Sequence, residues 1–388
     1  MKITIIAGAR PNFMKIAPVI EAIAKARLKG VDIDYRLVHT GQHYDKKMSS
    51  DFFEELGIPE PHANLEAGGG TQAEQTANIM VRFEKELNEN PANLVLVVGD
   101  VTSTMACAIV AKKLNTKVAH IEAGIRSGDL SMPEEINRIV TDAISDYFFT
   151  TSEVASGNLR SAGIADDRIF FVGNTMIDTL LKQMPNFKRP AIWNEANLRP
   201  GEYFVITLHR PSNVDQEYEL KFLIDEIVRL SRKLPIIFPV HPRTANMLKK
   251  IGIEAPNLYL TEPMSYLEFN FLVKNSKAVV TDSGGITEET TVMGIPCMTL
   301  RDSTERPETC TIGTNELLGT DPKALKPAVD KLFNGDWKKG FIPQMWDGKT
   351  SERILAHLLN LFPGHVNSIA PQLVKQDLNQ VFEDLPLR

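Results

Sequence analysis

The sequence predicts an α/β protein built from two doubly wound domains that face a central cleft. Three observations carry this. Short apolar runs alternate with helix-length amphipathic stretches along most of the 388 residues. That alternation pauses once, between about Leu180 and Glu202, and then restarts. The chain is also too long for one ordinary core, so two domains are expected. Short β-rich runs alternating with helices mean βαβ units, and hence parallel sheets covered on both faces.

In chain order, "KITIIAG" reads as a strand before a periodic run from Phe13 to Leu28. "DYRLVHTG" precedes a helix near 45–56, and "NLVLVVGD" precedes the helical "TSTMACAIVAKKLN". "KVAHIEAG" precedes a helix near 134–145, and "DYFFTTS" precedes one at 153–162. The stretch "PNFKRPAIWNEANLRPG" is rich in proline and asparagine and reads as an interdomain connection. Alternation resumes with "YFVITLH", a helix near 217–233, "PIIFPVH", "LYL" and a helix near 265–274. "KAVVTDSGG", another helix, "IPCMTL", and helices near 323–334 and 350–361 complete the pattern. This places a first domain at 1–175, a second at 176–362, and a tail at 363–388 that packs back on the first domain.

A net charge of −6 argues against a general nucleic-acid surface, which wants a basic stripe. It leaves room for a local basic pocket that takes an anionic small ligand. The opening apolar run is too short for a signal peptide or a membrane span, which makes the cytoplasm the default location. Cys107, Cys297 and Cys310 are widely separated and form no CxxC pair, so neither a disulfide framework nor a zinc site is expected. No GxGxxG fingerprint calls for a nicotinamide, and no Mg²⁺ ligand set stands out.

Open parallel sheets bind ligands beyond the carboxyl ends of their strands. In "AGARPNFMK", a glycine turn places Arg10 and Lys15 near a helix start, where backbone N–H groups and the dipole favour an anion. Gln42 and His43 end the next strand. Asp100 ends "NLVLVVGD", where it is either a functional acid or the cap of the following helix. Glu122 ends "KVAHIE", and an acid there is costly unless used or paired. Glu134 and Arg138 lie i, i+4 at a helix start and share a face, either in a site or as a surface pair. His209 and Arg210 end the first strand of the second domain, where a histidine can donate to phosphate or move a proton. Ser283, Gly284 and Gly285 can cradle a phosphate, while Glu288 and Glu289 further along can accept from ribose hydroxyls. Arg301, Glu305, Arg306 and Glu308 follow a last strand, with Arg306 a phosphate or loop anchor.

The segments "GARPNFMKIAP", "TGQH", "VVGDVTST", "HIEAGIRSGDL", "PEEINR", "GNTMIDTL", "TLHR", "PVHPR", "TDSGGITEE" and "RDSTERPE" occur in this order. Together they resemble the non-hydrolysing UDP-N-acetylglucosamine 2-epimerases of bacteria, over nearly the whole chain. The resemblance implies the GT-B architecture of two Rossmann-like domains, shared with glycosyltransferases. It implies that Arg10, Lys15, His209, Ser283, Gly284, Gly285 and Arg306 line the UDP. Glu289 would take the ribose hydroxyls and Phe269 the uracil, with Met264 in the same substrate-binding group. Asp100, Glu122 and Glu134 would be the proton-transfer acids, joined by His209 among the catalytic residues and with Arg138 nearby. Gln42 and His43 would belong to a second, regulatory substrate region. No cofactor, a homodimer, UDP-GlcNAc and UDP-ManNAc as ligands, and service to surface polysaccharide synthesis are implied too.

Rival readings remain open at this level. A glycosyltransferase of the same architecture would need an acceptor pocket. A hydrolysing epimerase commonly carries a fused kinase, for which there is no length. A UDP-sugar sensor would need none of the three acids, and a 2-epimerase of a diacetamido uronic acid would differ only in its sugar contacts.

Overall fold

In the computed structural model, which describes residues 1–41, 53, 55–214, 216–240 and 242–365, the apolar runs form two parallel sheets. One unit comprises Met1–Thr179 and the described residues from Gln344 onward; the other is Leu180–Pro343. Each is a doubly wound, Rossmann-like α/β domain.

The first unit holds β1 (Lys2–Ala7), β2 (Asp34–His39), β3 (Ala63–Asn64), β4 (Leu94–Val98), β5 (Lys117–Ile121), β6 (Tyr147–Thr150) and β7 (Ile169–Phe171). Their order is β3-β2-β1-β4-β5-β6-β7, with every neighbouring pair parallel. Every residue of β4, "LVLVV", is buried. That continuous apolar run marks a strand covered on both faces, and burial of each large side chain contributes about 1.5–3 kcal/mol. The helices are α1 (Arg10–Leu28), α2 (Gln72–Glu89), α3 (Thr102–Lys113), α4 (Pro133–Ile144) and α5 (Glu153–Ser161). The chain order reverses between β1 and β4, so the ends of these two strands are the expected ligand position.

The helix Thr175–Gln183, α6, leads into the second unit. Its strands are β8 (Phe204–Thr207), β9 (Ile236–Pro239), β10 (Leu258–Thr261), β11 (Ala278–Thr281), β12 (Cys297–Thr299) and β13 (Asn315–Leu317). They run in the order β10-β9-β8-β11-β12-β13, again all parallel. Helices α7 (Glu217–Leu230), α8 (Pro242–Lys250), α9 (Tyr266–Asn275), α10 (Gly284–Met293) and α11 (Leu325–Asn334) cover the faces. Here the order reverses between β8 and β11.

The structure departs from or adds to the sequence reading at three points. The boundary does not run at 175 and 362. The last described α-helix, α12 (Thr350–Leu361), belongs to the first unit, where it packs on α1. Trp346, only 1% exposed, donates from Nε1 to Thr151 O at 3.0 Å, and Asp178 accepts the N–H groups of Thr350 at 3.0 Å and Ser351 at 2.7 Å. The expected interdomain stretch from Leu180 to Glu202 begins at the boundary between the units and belongs to the second. It holds a short helix, Ile192–Glu195, whose Ile192 and Trp193 are buried in the second core beside Tyr203 and Leu272. Finally, α2 was not anticipated. Thr71 and Glu74 form its capping box, and Ile79, Phe83 and Leu87 supply a buried stripe at helical spacing. Most of the expected helix near 45–56, and the tail beyond 365, lie outside the described residues.

Candidate active site

Three consecutive carbonyls leaving β4 are each captured by a side chain from a different element. Val98 O accepts from Asn12 Nδ2 at 3.2 Å and Thr104 Oγ1 at 2.8 Å. Gly99 O lies 2.8 Å from His120 Nε2, and Asp100 O accepts from Asn137 Nδ2 at 2.8 Å. Asn12 also holds the turn after β1, accepting from Gly8 N at 3.2 Å and Ala9 N at 2.9 Å. Satisfying buried carbonyls in this way leaves the Asp100 backbone little freedom.

The Asp100 carboxylate accepts from Arg138 Nε at 3.0 Å and Nη2 at 2.5 Å. It is therefore not a helix cap: the N-cap of α3 is Val101, and no side chain caps it. Arg138 also donates from Nη1 to Glu135 Oε2 at 2.6 Å, and both side chains are buried. Arg138 thus bonds Glu135 at i−3 and Asp100, whereas the sequence placed it beside Glu134. Burial pushes the Glu135 carboxyl up, but the N–H groups of Ser127 and Gly128 and the Arg138 guanidinium outweigh this and hold it below the usual carboxylate range. Glu134, its neighbour, is exposed at the start of α4.

At the end of β5, Glu122 is 3% exposed and meets Lys15 Nζ at 2.7 Å. Its φ of 66° lies in the left-handed region, which non-glycine residues seldom adopt. Lys15, predicted to reach a phosphate, is thus ion-paired to a candidate acid. Arg10 opens α1 and is exposed.

In the second unit, Asp282 follows β11 and is fully buried. One oxygen lies 2.7 Å from His209 Nδ1. The other accepts from His209 N at 3.0 Å, Arg210 N at 2.9 Å and Asn213 Nδ2 at 3.0 Å. Burial pushes Asp282 up, but His209 and these donors outweigh it and hold the carboxyl below its ordinary range. The His209 side chain stays 62% exposed, so an Nδ1 bond to Asp282 leaves Nε2 to face outward. In "TDSGG" the glycines carry the sequence signal, and the aspartate before them shows its role only in the fold.

Ser283 is the N-cap of α10, and its own side chain makes no cap hydrogen bond to that helix. Gly284 stands beside Arg301 and Glu305: a β-carbon there would lie 3.7 Å from Arg301 Nη1 and 3.9 Å from Glu305 Oε2. Arg301 Nη1 donates to Glu305 Oε2 at 2.7 Å. Burial pushes Glu305 up, but Arg301 and the nearby Arg306 outweigh it and bring it to about 2. Glu288, read as a ribose acceptor, instead bonds Nε of the buried Arg306. Glu289 keeps that possibility. It accepts from Tyr266 Oη at 2.8 Å, and burial pushes its carboxyl up to about 7. Phe269 and Met264 are half-buried against the core that contains Trp193 and Tyr203. Gln42 and His43 lie outside the described residues.

The structure therefore gathers Lys15, Asp100, Glu122 and Arg138 at the reversal point of the first sheet, and His209 with Ser283 and Gly284 at that of the second. Among the described residues, no group of three or more His, Cys, Asp or Glu could hold a metal ion. No described helix is long and apolar enough to cross a membrane.

A family model described as UDP-N-acetylglucosamine 2-epimerase matches residues 26–359. The chain belongs to that family. As a 2-epimerase it is an isomerase, of the non-hydrolysing branch. It is 42% identical over 369 residues to the UDP-N-acetylglucosamine 2-epimerase of Methanocaldococcus jannaschii, covering 92% of this chain and 98% of that one. It is 38% identical to the UDP-2,3-diacetamido-2,3-dideoxy-D-glucuronate 2-epimerase of Pseudomonas aeruginosa, covering 93% and 100%. Among solved structures, the Methanocaldococcus jannaschii UDP-GlcNAc 2-epimerase in complex with UDP-GlcNAc and UDP superposes with a TM-score of 0.82 at 41% identity, over 93% of this epimerase and all of that chain.

Proposed function

We propose that this enzyme interconverts UDP-GlcNAc and UDP-ManNAc by eliminating UDP and adding it back. The observation that carries the reading furthest is the His209–Asp282 pair at the sheet reversal point where α10 begins with no cap bond from its Ser283 side chain. A leaving diphosphate needs such a combination of N–H groups and an oriented imidazole.

In the α-linked sugar, UDP at C1 and the hydrogen at C2 are both axial and anti. The C1–O bond breaks, its electron pair leaves with UDP, and a carboxylate takes the C2 proton, which gives 2-acetamidoglucal. The C2 proton is weakly acidic, so UDP departure leads and C1 gains positive character, which carboxylates stabilise. UDP then re-forms its bond to C1 while a proton reaches the opposite face of C2. Asp100, Glu122 and Glu134 are the proposed proton-transfer acids. Proton delivery on two faces is the reason for more than one. Ser283, Gly284, Gly285, His209 and Arg306 hold the diphosphate, with Arg10 assisting. Glu289 takes the ribose hydroxyls, and Phe269 and Met264 flank the uracil. Arg138 fixes Asp100 at 2.5 Å and 3.0 Å.

A second reading keeps the chemistry and changes the sugar to a UDP-diacetamido uronic acid, because a relative named for that substrate is 38% identical over nearly the whole chain. A homodimer that feeds surface polysaccharide synthesis completes the proposal. The test is ¹H NMR of UDP-GlcNAc with the enzyme in D₂O. Loss of the C2 proton as UDP-ManNAc forms supports the reading. No exchange with UDP-GlcNAc, and exchange with the uronic acid, selects the second.

A further inference from the structure

His120 lies inside the apolar run of β5 and takes no part in the chemistry above. Its ring is fully buried. Nδ1 lies 2.7 Å from Asp142 Oδ1, and Nε2 lies 2.8 Å from Gly99 O. Asp142 Oδ2 in turn accepts from Gly124 N at 3.0 Å and meets Arg126 Nη1 at 2.7 Å. A continuous chain of bonds thus joins the carbonyl just before Asp100 to the N–H two residues after Glu122.

Both ends of that chain are conformationally demanding. Gly99 and Gly124 have φ of 69° and 78°, and Glu122 between them has φ of 66°. At Gly99 a β-carbon would lie 3.3 Å from Lys15 Nζ and 3.7 Å from Glu122 Oε2. At Gly124 it would lie 2.2 Å from Ala155 O. The two turns are packed tightly, and backbone in the left-handed region persists only where its surroundings hold it.

The ring faces acceptors at both nitrogens. A carbonyl oxygen only accepts, and a neutral imidazole has one N–H. Asp142 already accepts from Gly124 N at 3.0 Å and meets the Arg126 guanidinium at 2.7 Å, both donors, so it is an acceptor too. Both contacts are hydrogen bonds only if each nitrogen carries a proton. A buried ion pair of this kind is weak evidence for stability, since apolar residues of the same shape often do as well. Fixing geometry is the better account of it.

We propose that His120, with Asp142, is a positioning residue for epimerisation: the pair ties the turn carrying Asp100 to the turn carrying Glu122 and sets the spacing of the two acids. This rests on the reading that those acids move the C2 proton. Misplacement by about 1 Å can lower a rate about 100-fold without weakening ligand binding.

The test has two arms. In the wild type, ¹⁵N spectra of labelled histidine should show His120 with both nitrogens of N–H type; a nitrogen bearing a lone pair overturns the clamp. In His120→Gln and Asp142→Asn, C2 deuterium incorporation into UDP-GlcNAc should fall about 10- to 100-fold, while KM and the Kd for UDP stay within about threefold. Exchange at the wild-type rate, or UDP affinity falling in step with rate, overturns it. If neither variant folds, the wild-type spectrum decides. If the wild type itself exchanges no C2 proton, the proposed function fails, and the spectrum still judges the clamp.

Discussion

Replacing Asp282 by asparagine alters one atom at the centre of the second unit's site. One carboxylate oxygen accepts from three N–H groups at 2.9–3.0 Å, and the other faces His209 Nδ1 at 2.7 Å. Asparagine has one acceptor oxygen, and the backbone donors claim it. Its amide NH₂ then points at Nδ1, which must accept, so the proton moves to Nε2 and the ring's outward face changes role. One charge-assisted bond, worth about 1.5–3 kcal/mol, is lost, and the imidazole is held in the wrong tautomer. Together these should lower kcat by about 10²- to 10⁴-fold, as is found when the carboxylate that orients a catalytic histidine is neutralised. The assay is the initial rate of UDP-ManNAc formation by NMR, with a melting curve beside it. In an Asp282→Asn background, His209→Ala should cost little more, because residues that act as a unit are not additive. A folded Asp282→Asn enzyme with kcat within about threefold of wild type refutes the reasoning.

Glu289 titrates near 7 in the fold, against 4.5 unfolded. A raised carboxyl contributes stability that is full below pH 4.5 and lost as pH rises through about 7. Glu289→Gln should therefore match wild type in acid and exceed it above neutrality by up to about 3 kcal/mol, seen as a pH-dependent gap in Tm. Trp346→Ala removes a side chain that is 1% exposed, together with its bond to Thr151. It should destabilise by about 3–5 kcal/mol in urea titration. Gly124→Ala puts a β-carbon 2.2 Å from Ala155 O at a φ of +78°. It should lose about 2 kcal/mol or more and most of its C2 exchange, measured on the same samples.

The sequence exposed the strands well because both sheets are parallel and doubly covered, so runs such as "LVLVV" and "KAVV" are continuously apolar. It exposed Asp100, Glu122 and His209 because each stands where such a run stops. Asp282 also stands where a run stops, but the glycines beside it carry the stronger signal, whereas His120 sits within a strand, where a strand-end argument does not reach it. Helix α2 was missed because its apolar stripe, Ile79, Phe83 and Leu87, is thin among polar neighbours. Glu135 and Glu134 are adjacent and chemically identical. The turn at Ser127 and Gly128, which closes over Glu135, and the Arg138 bond tell them apart, and neither is visible in the sequence. The true owner of α12 was illegible because periodicity says that a helix buries one face, not in which core.

That ownership bears on how the protein is made. On the ribosome, Met1–Thr179 emerges first, yet the helix that completes its core is the last described one, Thr350–Leu361. All of Leu180–Pro343 must be synthesised in between. The later-starting unit has its whole core in hand first, and the earlier one waits with all its strands made but the α1 face uncovered. Nascent chains that end within the second unit therefore present exposed apolar surface to chaperones, and a stop codon before Thr350 disables the unit whose code was read first.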